Sequence, residues 1–268
     1  MPSKPKLGQN FLRDTQAIER IANALGDLTG ATVIEIGPGR GAITGALAAR
    51  AERVIAIELD RELAAYLRDQ FPAERVRVVQ ADVLEFDFAA AAEEAGKRLP
   101  VAGNLPYYIT SPILLKLAEN HAALDRAVLM VQRELADRIV AGPGSREYGV
   151  LSVTVQMYGP VAPLFTLPPG AFSPPPDVYS TVFRWRFAPR FVELGVEEAG
   201  FLLFIREAFA QKRKTLANNL RAAGYAPAAV QDALAGASVP VQARAEALEL
   251  EELARLWIEL GKGRRIAS

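Results

Sequence analysis

The sequence predicts an α/β fold: a doubly wound, Rossmann-like sheet followed by a smaller helical domain. Three observations carry that expectation. Short β-rich runs alternate with helical patterns from residue 31 to about residue 131, which implies a parallel sheet with helices on both faces. A glycine loop, Gly37-Pro38-Gly39-Arg40-Gly41, joins the first such run to a helix. From about Val196 the pattern is helical. The 268 residues, half of them hydrophobic, suffice for one large core with a small domain appended.

The elements follow in order. Residues 31–36 (ATVIEI) form a compact β-rich run that stops at a glycine, and residues 42–50 read as a helix. Residues 53–59 (RVIAIEL) are the second strand, and Asp60 caps a helix reaching about Gln70. Residues 76–80 are the third strand and 99–102 the fourth, ending at Gly103-Asn104. Ser111-Pro112 opens a helix to Glu119, with serine as cap and proline at the first helical position. Residues 127–131 (AVLMV) are the fifth strand. Residues 149–157 are strand-like, 160–176 proline-rich and irregular, and 181–187 alternate again, extending the sheet with antiparallel edge strands. Helices are expected over 201–210, 215–222, 227–235 and 245–260, punctuated by Gly224, Gly236 and Pro240. These patterns divide the chain into a catalytic domain, residues 1–190, and a helical domain, residues 191–268.

Composition removes several chemistries. With no cysteine there is no disulfide scaffold, thiolate metal site or cysteine nucleophile. The lone histidine, His121, follows Glu119-Asn120 at a predicted helix end, where a capping or surface role fits best. No metal site is expected. No apolar run reaches the length of a membrane span and the N-terminus lacks an apolar signal region, so a soluble, cytoplasmic protein without a membrane partner is expected. Formal net charge is zero, yet Lys212, Arg213 and Lys214 cluster between Arg206 and Arg221 with only Glu207 opposing, so a basic face is available to a polyanion. Solvated helix surface is the plain alternative for that cluster.

The glycine loop lets a ligand approach the main chain, and Glu58, ending the second strand, is placed to accept hydrogen bonds from both hydroxyls of a ribose. Such a carboxylate repels a 2′-phosphate but does not separate a nicotinamide cofactor from S-adenosylmethionine. Asp82, at the end of the third strand, adds an acceptor suited to an adenine amino group, and Glu35 adds negative charge near a cationic sulfur. The motif that discriminates is Asn104-Leu105-Pro106-Tyr107, at the same sheet edge. The exocyclic nitrogen of adenine is a poor nucleophile because its lone pair is delocalised into the ring. The Asn104 amide oxygen and the Leu105 carbonyl are suited to accept its two hydrogens, Pro106 to stiffen the backbone, and Tyr107 to offer a stacking face. Phe172, before Ser173-Pro174-Pro175-Pro176, is a second candidate to stack on an extruded base, or else a core residue under a proline-rich loop. Loop, acids and tetrapeptide together point to methylation of an exocyclic amine of a nucleic-acid base.

In these motifs the chain resembles the ribosomal RNA adenine dimethylases, in particular the branch acting on small-subunit rRNA. The likeness runs through Gly8-Gln9-Asn10-Phe11-Leu12, Glu35 to Thr44, Glu58-Leu59-Asp60, Gln80-Ala81-Asp82, Asn104 to Pro112, Phe172 to Ser180, Ala208 to Leu220 and Arg244-Ala245-Glu246. It implies a Rossmann-like S-adenosylmethionine-dependent methyltransferase domain. Its cofactor would be contacted by Gln9, Asn10, Leu12, Gly37, Gly39, Glu58, Leu59, Asp82, Val83 and Asn104. It implies catalysis by Asn104, Leu105, Pro106, Tyr107 and Phe172, and RNA contacts from Arg206, Lys212, Arg213, Lys214 and Arg221. The implied product is N6,N6-dimethyladenosine at two adjacent adenosines in the 3′-terminal hairpin loop of 16S rRNA, made within an assembling small subunit by a monomer. Tyr179, where the family carries an acid, and Gln211, where it often carries arginine, are departures on the RNA-facing side. Three other functions stay open: a 23S rRNA adenine methylase of the macrolide-resistance type, an assembly factor with dispensable methylation, and a nicotinamide dehydrogenase.

Overall fold

The computed structural model describes residues 10–265, with side chains described as far as residue 261. Two compact units share the chain: residues 1–136 with 160–187, and residues 137–159 with 188–268.

The first unit is built on a seven-stranded sheet. Strand β1 (Phe11–Leu12) enters first and lies apart from it, and Asp14 caps α1 (Thr15–Ala24) by accepting from the Ala17 N–H at 3.0 Å. Then come β2 (Thr32–Ile36), α2 (Ala42–Ala48), β3 (Arg53–Glu58), α3 (Arg61–Gln70), β4 (Val76–Gln80), α4 (Phe88–Ala95), β5 (Leu99–Asn104), α5 (Thr110–Glu119) and β6 (Leu124–Gln132). Asp60 caps α3 as expected, accepting from Glu62 at 2.8 Å and Leu63 at 3.1 Å. Strands β4, β3, β2, β5 and β6 lie parallel in that spatial order. Their interior residues, such as Val33, Ile34, Val54, Ala56, Val101 and Val128, are buried, as a sheet covered on both faces requires. His121 ends α5 as a cap, its Nδ1 lying 2.9 Å from the Ala118 carbonyl oxygen.

Three local readings change. Helix α5 starts earlier than Ser111. A 3-10 turn over Tyr107–Ile109 leads into it, and Thr110, not Ser111, makes the anchoring contact by donating to the Pro106 carbonyl at 2.9 Å. The proline-rich stretch is not wholly irregular: β7 (Val161–Leu167) and β8 (Phe172–Ser173) lie within it. Pro163 fits β7 because that strand is an edge, and the register shifts between Pro163 and Phe165, so no ladder donor is missed. Strand β9 (Ser180–Arg186) runs antiparallel between β6 and β7, completing the expected antiparallel edge, while β8 pairs with β1.

The third change moves a segment out of the sheet. Residues 149–157 are helical: α6 (Arg133–Val140) carries the chain from the first unit into the second, and α7 (Val150–Met157) follows. The β-branched residues of α7 favour a strand in isolation, but Val153, Thr154, Val155 and Met157 are all buried, and burial overrides that preference. Side chains of α7 also satisfy the open carbonyls at the end of α6. Ser152 donates to Arg138 at 2.5 Å, and the Gln156 amide donates to Ile139 at 3.0 Å and Ala141 at 2.9 Å.

The second unit continues with α8 (Phe191–Leu194), α9 (Glu198–Ala208), α10 (Leu216–Ala222), α11 (Pro227–Gly236) and α12 (Leu250–Arg265), close to the helices expected. Its core includes Phe201, Phe204, Leu220, Leu253 and Leu256, with the Phe201 and Trp257 rings edge to face. Buried Asn219 donates to the Ala208 and Gln211 carbonyls at 2.7 and 3.2 Å, fixing the turn that carries Lys212, Arg213 and Lys214. Among the described residues no helix is long and apolar enough to cross a membrane.

Candidate active site

Strand β2 lies between β3 and β5, so the connections leaving it diverge, and a crevice opens at the carboxyl ends of the parallel strands. A cavity open to solvent occupies that crevice. Each strand end contributes. Glu35 and Ile36 end β2 and Gly37 to Gly39 follow it, Glu58 ends β3 with Leu59 next, Ala81, Asp82 and Val83 follow β4, and Asn104 to Ile109 leave β5. Asn10, Phe11 and Leu12 close the cavity from the N-terminal side. Gln9 lies outside the described residues.

The glycine loop is held tightly. Gly39 has φ +57°, and a Cβ on it would come within 3.0 Å of the Phe11 ring. Gly41 has φ +82°, and a Cβ there would meet the Phe71 ring at 2.7 Å. Both positions therefore require glycine on conformational and steric grounds. Phe11 packs on the loop with the Arg40 guanidinium 4.7 Å from its ring centroid. Sequence reasoning missed Phe11 as a lining residue, although it stands inside the N-terminal motif.

Two buried acids sit beneath the loop with different hydrogen-bond partners. Glu58 accepts from the Gly39 N–H at 3.0 Å and the Asp60 N–H at 2.9 Å. Burial raises its pKa, and those backbone donors oppose the rise. Each oxygen keeps acceptor capacity toward the cavity. Glu35 is fully buried and, among the described residues, accepts only from the Thr44 hydroxyl, at 2.6 Å. Burial, reinforced by the nearby Glu58 charge against the Thr44 bond, pushes its pKa up to about 8. That shift favours the protonated form of Glu35 near neutral pH. Asp82 lines the cavity and accepts from the Leu84 N–H at 2.9 Å, while Leu59, 47% exposed, forms an apolar rim.

The tetrapeptide is anchored at every residue. The Asn104 amide nitrogen donates to the Asn10 carbonyl at 3.1 Å, which assigns Oδ1 the acceptor role. The Leu105 N–H donates to Met130 at 3.0 Å. Pro106 accepts from Thr110, and the Tyr107 hydroxyl pairs with Ser180 at 2.8 Å, where burial raises its pKa. Tyr108, 59% exposed, stands at the cavity mouth.

Phe172 differs from its expected role. It does not line the cavity: it is 4% exposed, pairs with Leu12 across the β1–β8 ladder and packs in the core with Met130 and Val182. In this conformation its ring offers no face to a base. Lys212, Arg213 and Lys214 occupy an exposed turn of the second unit, where Lys212 donates to the Arg146 carbonyl at 2.8 Å. Arg206 is exposed on α9, and Arg221 is half-buried on α10.

The state of Glu35 yields a pH prediction. Its pKa is higher in the folded chain than the ordinary 4.5, so the fold holds an extra proton between about pH 4.5 and 8. That contribution is fully present below the unfolded value and is lost as pH rises through the folded one. Glu35→Gln keeps an acceptor for Thr44 and does not ionise. The original chain therefore loses stability relative to the variant by up to about 1.4 kcal/mol per pH unit across that range. Urea midpoints of both chains from pH 5 to 8 test this, and parallel profiles would show Glu35 ionised in the fold.

Comparison with known proteins agrees with this geometry. A family model described as ribosomal RNA adenine dimethylase matches residues 2–261. A ribosomal RNA small subunit methyltransferase A from Acidobacterium capsulatum is 60% identical over 255 residues, covering 95% of this chain and 90% of that protein. One of the same name from Koribacter versatilis is 50% identical, covering 97% and 95%. Among solved structures, the 23S rRNA methyltransferase ErmE superposes with a TM-score of 0.72 at 27% identity, covering 94% of this chain and all of that one. A dimethyladenosine transferase from Plasmodium falciparum reaches a TM-score of 0.82 at 22% identity, covering 94% and 98%, and supports the fold alone. The chain belongs to the ribosomal RNA adenine dimethylase family.

Proposed function

We propose that this protein transfers methyl groups from S-adenosylmethionine to N6 of two adjacent adenosines in the 3′-terminal hairpin loop of 16S rRNA. It does so as a cytoplasmic monomer acting on an assembling small subunit. The observation that carries the reading is Asn104, tethered by its amide nitrogen to Asn10 so that an acceptor oxygen remains at the sheet-edge cavity. The 60% and 50% identity to proteins named for the small subunit favours that branch over the 23S type, at 27%.

The residues fit the cofactor. The loop at Gly37 and Gly39 admits a ligand against its backbone, Glu58 has acceptor capacity for two ribose hydroxyls, and Asp82 has a carboxylate oxygen for an adenine amino group. Leu59 and Val83 supply apolar surface for the purine, and Asn10 and Leu12 close the site. When bound, S-adenosylmethionine supplies an electrophilic methyl group.

The chain's own residues then act by positioning. Asn104 Oδ1 and the Leu105 carbonyl accept the two amine hydrogens, drawing the nitrogen lone pair out of conjugation. The Leu105–Met130 and Pro106–Thr110 hydrogen bonds hold the loop on either side of that carbonyl. The Tyr107 ring, fixed by Ser180, takes the stacking role, with Tyr108 at the entrance. The methylated nitrogen releases one proton to solvent and keeps one hydrogen, so one of the two acceptors suffices for the second transfer. Pre-alignment of this kind lowers a barrier by up to about 7–11 kcal/mol.

Asn104→Ala tests the mechanism. It lowers the rate of methyl transfer by about 10²–10³-fold, comparable to removing one preorganised hydrogen-bonding group elsewhere. It leaves small-subunit binding intact. S-adenosylhomocysteine still raises its melting temperature and NAD does not. Full activity in the variant would sink the positioning mechanism.

Charge reversal at Lys212, Arg213 and Lys214 weakens RNA binding and flattens its dependence on salt, by about one unit of slope for each phosphate no longer neutralised. An unchanged slope would assign that turn to solvated surface.

A further inference from the structure

A second concave surface lies on the first unit, formed by β6, β7 and β9 and lined by Asp125, Arg126, Val161, Ala162, Arg184 and Arg186. We propose that this arginine groove docks the sugar-phosphate backbone of the substrate RNA, at a site separate from the cavity that takes the target base. The proposal rests on the RNA-methylating reading above.

The strand register sets the charges. Arg126 on β6 lies directly opposite Arg186 on β9, and Arg184 lies opposite Ala162 on β7. Along β9 the side chains alternate: Phe183 and Trp185 are fully buried on one face, while Arg184 and Arg186 are exposed on the other. Like charges facing each other across neighbouring strands destabilise a sheet. Arg126 is the anchored member. It is bonded to the Asp125 carboxylate, to the Leu25 carbonyl and, at 2.9 Å, to the Asp27 carbonyl beyond the end of α1. The groove's one carboxylate is therefore already engaged. Among the described residues the Arg184 and Arg186 side chains have no hydrogen-bond or ion-pair partner, so the groove carries two uncompensated guanidinium groups.

That arrangement suits a chain of phosphates. Residues two apart on a strand stand about 6.7 Å from each other, close to the spacing of successive phosphates along an RNA strand. The guanidinium fork presents paired donors to phosphate oxygens. The small Ala162 opposite Arg184 leaves the groove open. Its position excludes a part in base recognition. Asn104 pairs with Met130, and Arg126 lies four residues back along β6, about 13 Å toward the opposite sheet edge. An RNA held here is gripped away from the target adenosine, which adds affinity without reading sequence.

The test uses the full chain carrying Arg184→Gln with Arg186→Gln, and separately Arg184→Glu with Arg186→Glu. Binding to small-subunit particles lacking the 3′-end modification is measured across a salt series, beside steady-state methylation. The expected result is weaker binding at low salt, a salt slope reduced by about two for the glutamine pair, a raised KM for particles and an unchanged kcat. The thermal shift with S-adenosylhomocysteine stays as in the original chain. An unchanged slope and KM in both variants would overturn the proposal. So would a thermal shift with inorganic phosphate that disappears in the variants while particle affinity does not change, since the groove would then take only a small anion. Binding is read without methyl transfer, so a wild-type chain that binds particles but does not methylate them would remove the functional reading and leave the groove to be decided by its slope.

Discussion

The hydrogen bond from the Asn104 amide to the Asn10 carbonyl is the contact on which the rest of the site depends. An amide side chain presents either a donor or an acceptor to a ligand, and amine activation needs the acceptor. Tying the nitrogen to a main-chain oxygen settles that choice. The same N-terminal segment packs Phe11 on the glycine loop and pairs Leu12 with Phe172. One short stretch thus links the loop that shapes the cofactor cavity, the amide that orients the amine and the strand leading into the proline-rich loop. Its hold comes from the β1–β8 pairing, the Phe11 ring packing, the Asn104 bond and the Arg13 and Asp14 N–H groups donating to the Ala171 carbonyl.

Burial is handled differently at the two acids under the loop. At Glu58 two main-chain N–H groups offset part of the desolvation that raises its pKa. Glu35 has one hydroxyl partner, Thr44, and Glu58 nearby, and its burial pushes its pKa up to about 8. Both acids line the cavity at strand ends, and they differ in the donors that meet them.

The parallel part of the sheet was legible because its strands are buried on both faces and their β-rich runs stop at Gly37, Asp60 and Asn104, where turn chemistry changes. The segment 149–157 misled because β-branched residues favour strands only until full burial overrides them. Strand β7 was hidden by Pro163, whose missing donor matters little at an edge. In the site, the tetrapeptide and the carboxylates at strand ends followed from position along a doubly wound fold. The Asn10–Asn104 contact did not, since it joins residues 94 apart that no local pattern connects. Phe172 illustrates the same limit: its neighbours in sequence suggest a presented ring, and its partner across the ladder, Leu12, buries it. The unpaired arginines of β9 were likewise invisible until register set one of them opposite Arg126.

The central claim is that the tethered amide serves methyl transfer to adenosines of the small subunit. Its most direct test is to supply labelled S-adenosylmethionine with small-subunit particles lacking the 3′-end modification, naked 23S rRNA and a control DNA duplex, and then to map the label by nucleoside digestion. N6,N6-dimethyladenosine is expected from the small-subunit particles alone. Label in 23S rRNA, or tight particle binding with no transfer to any RNA, would contradict it.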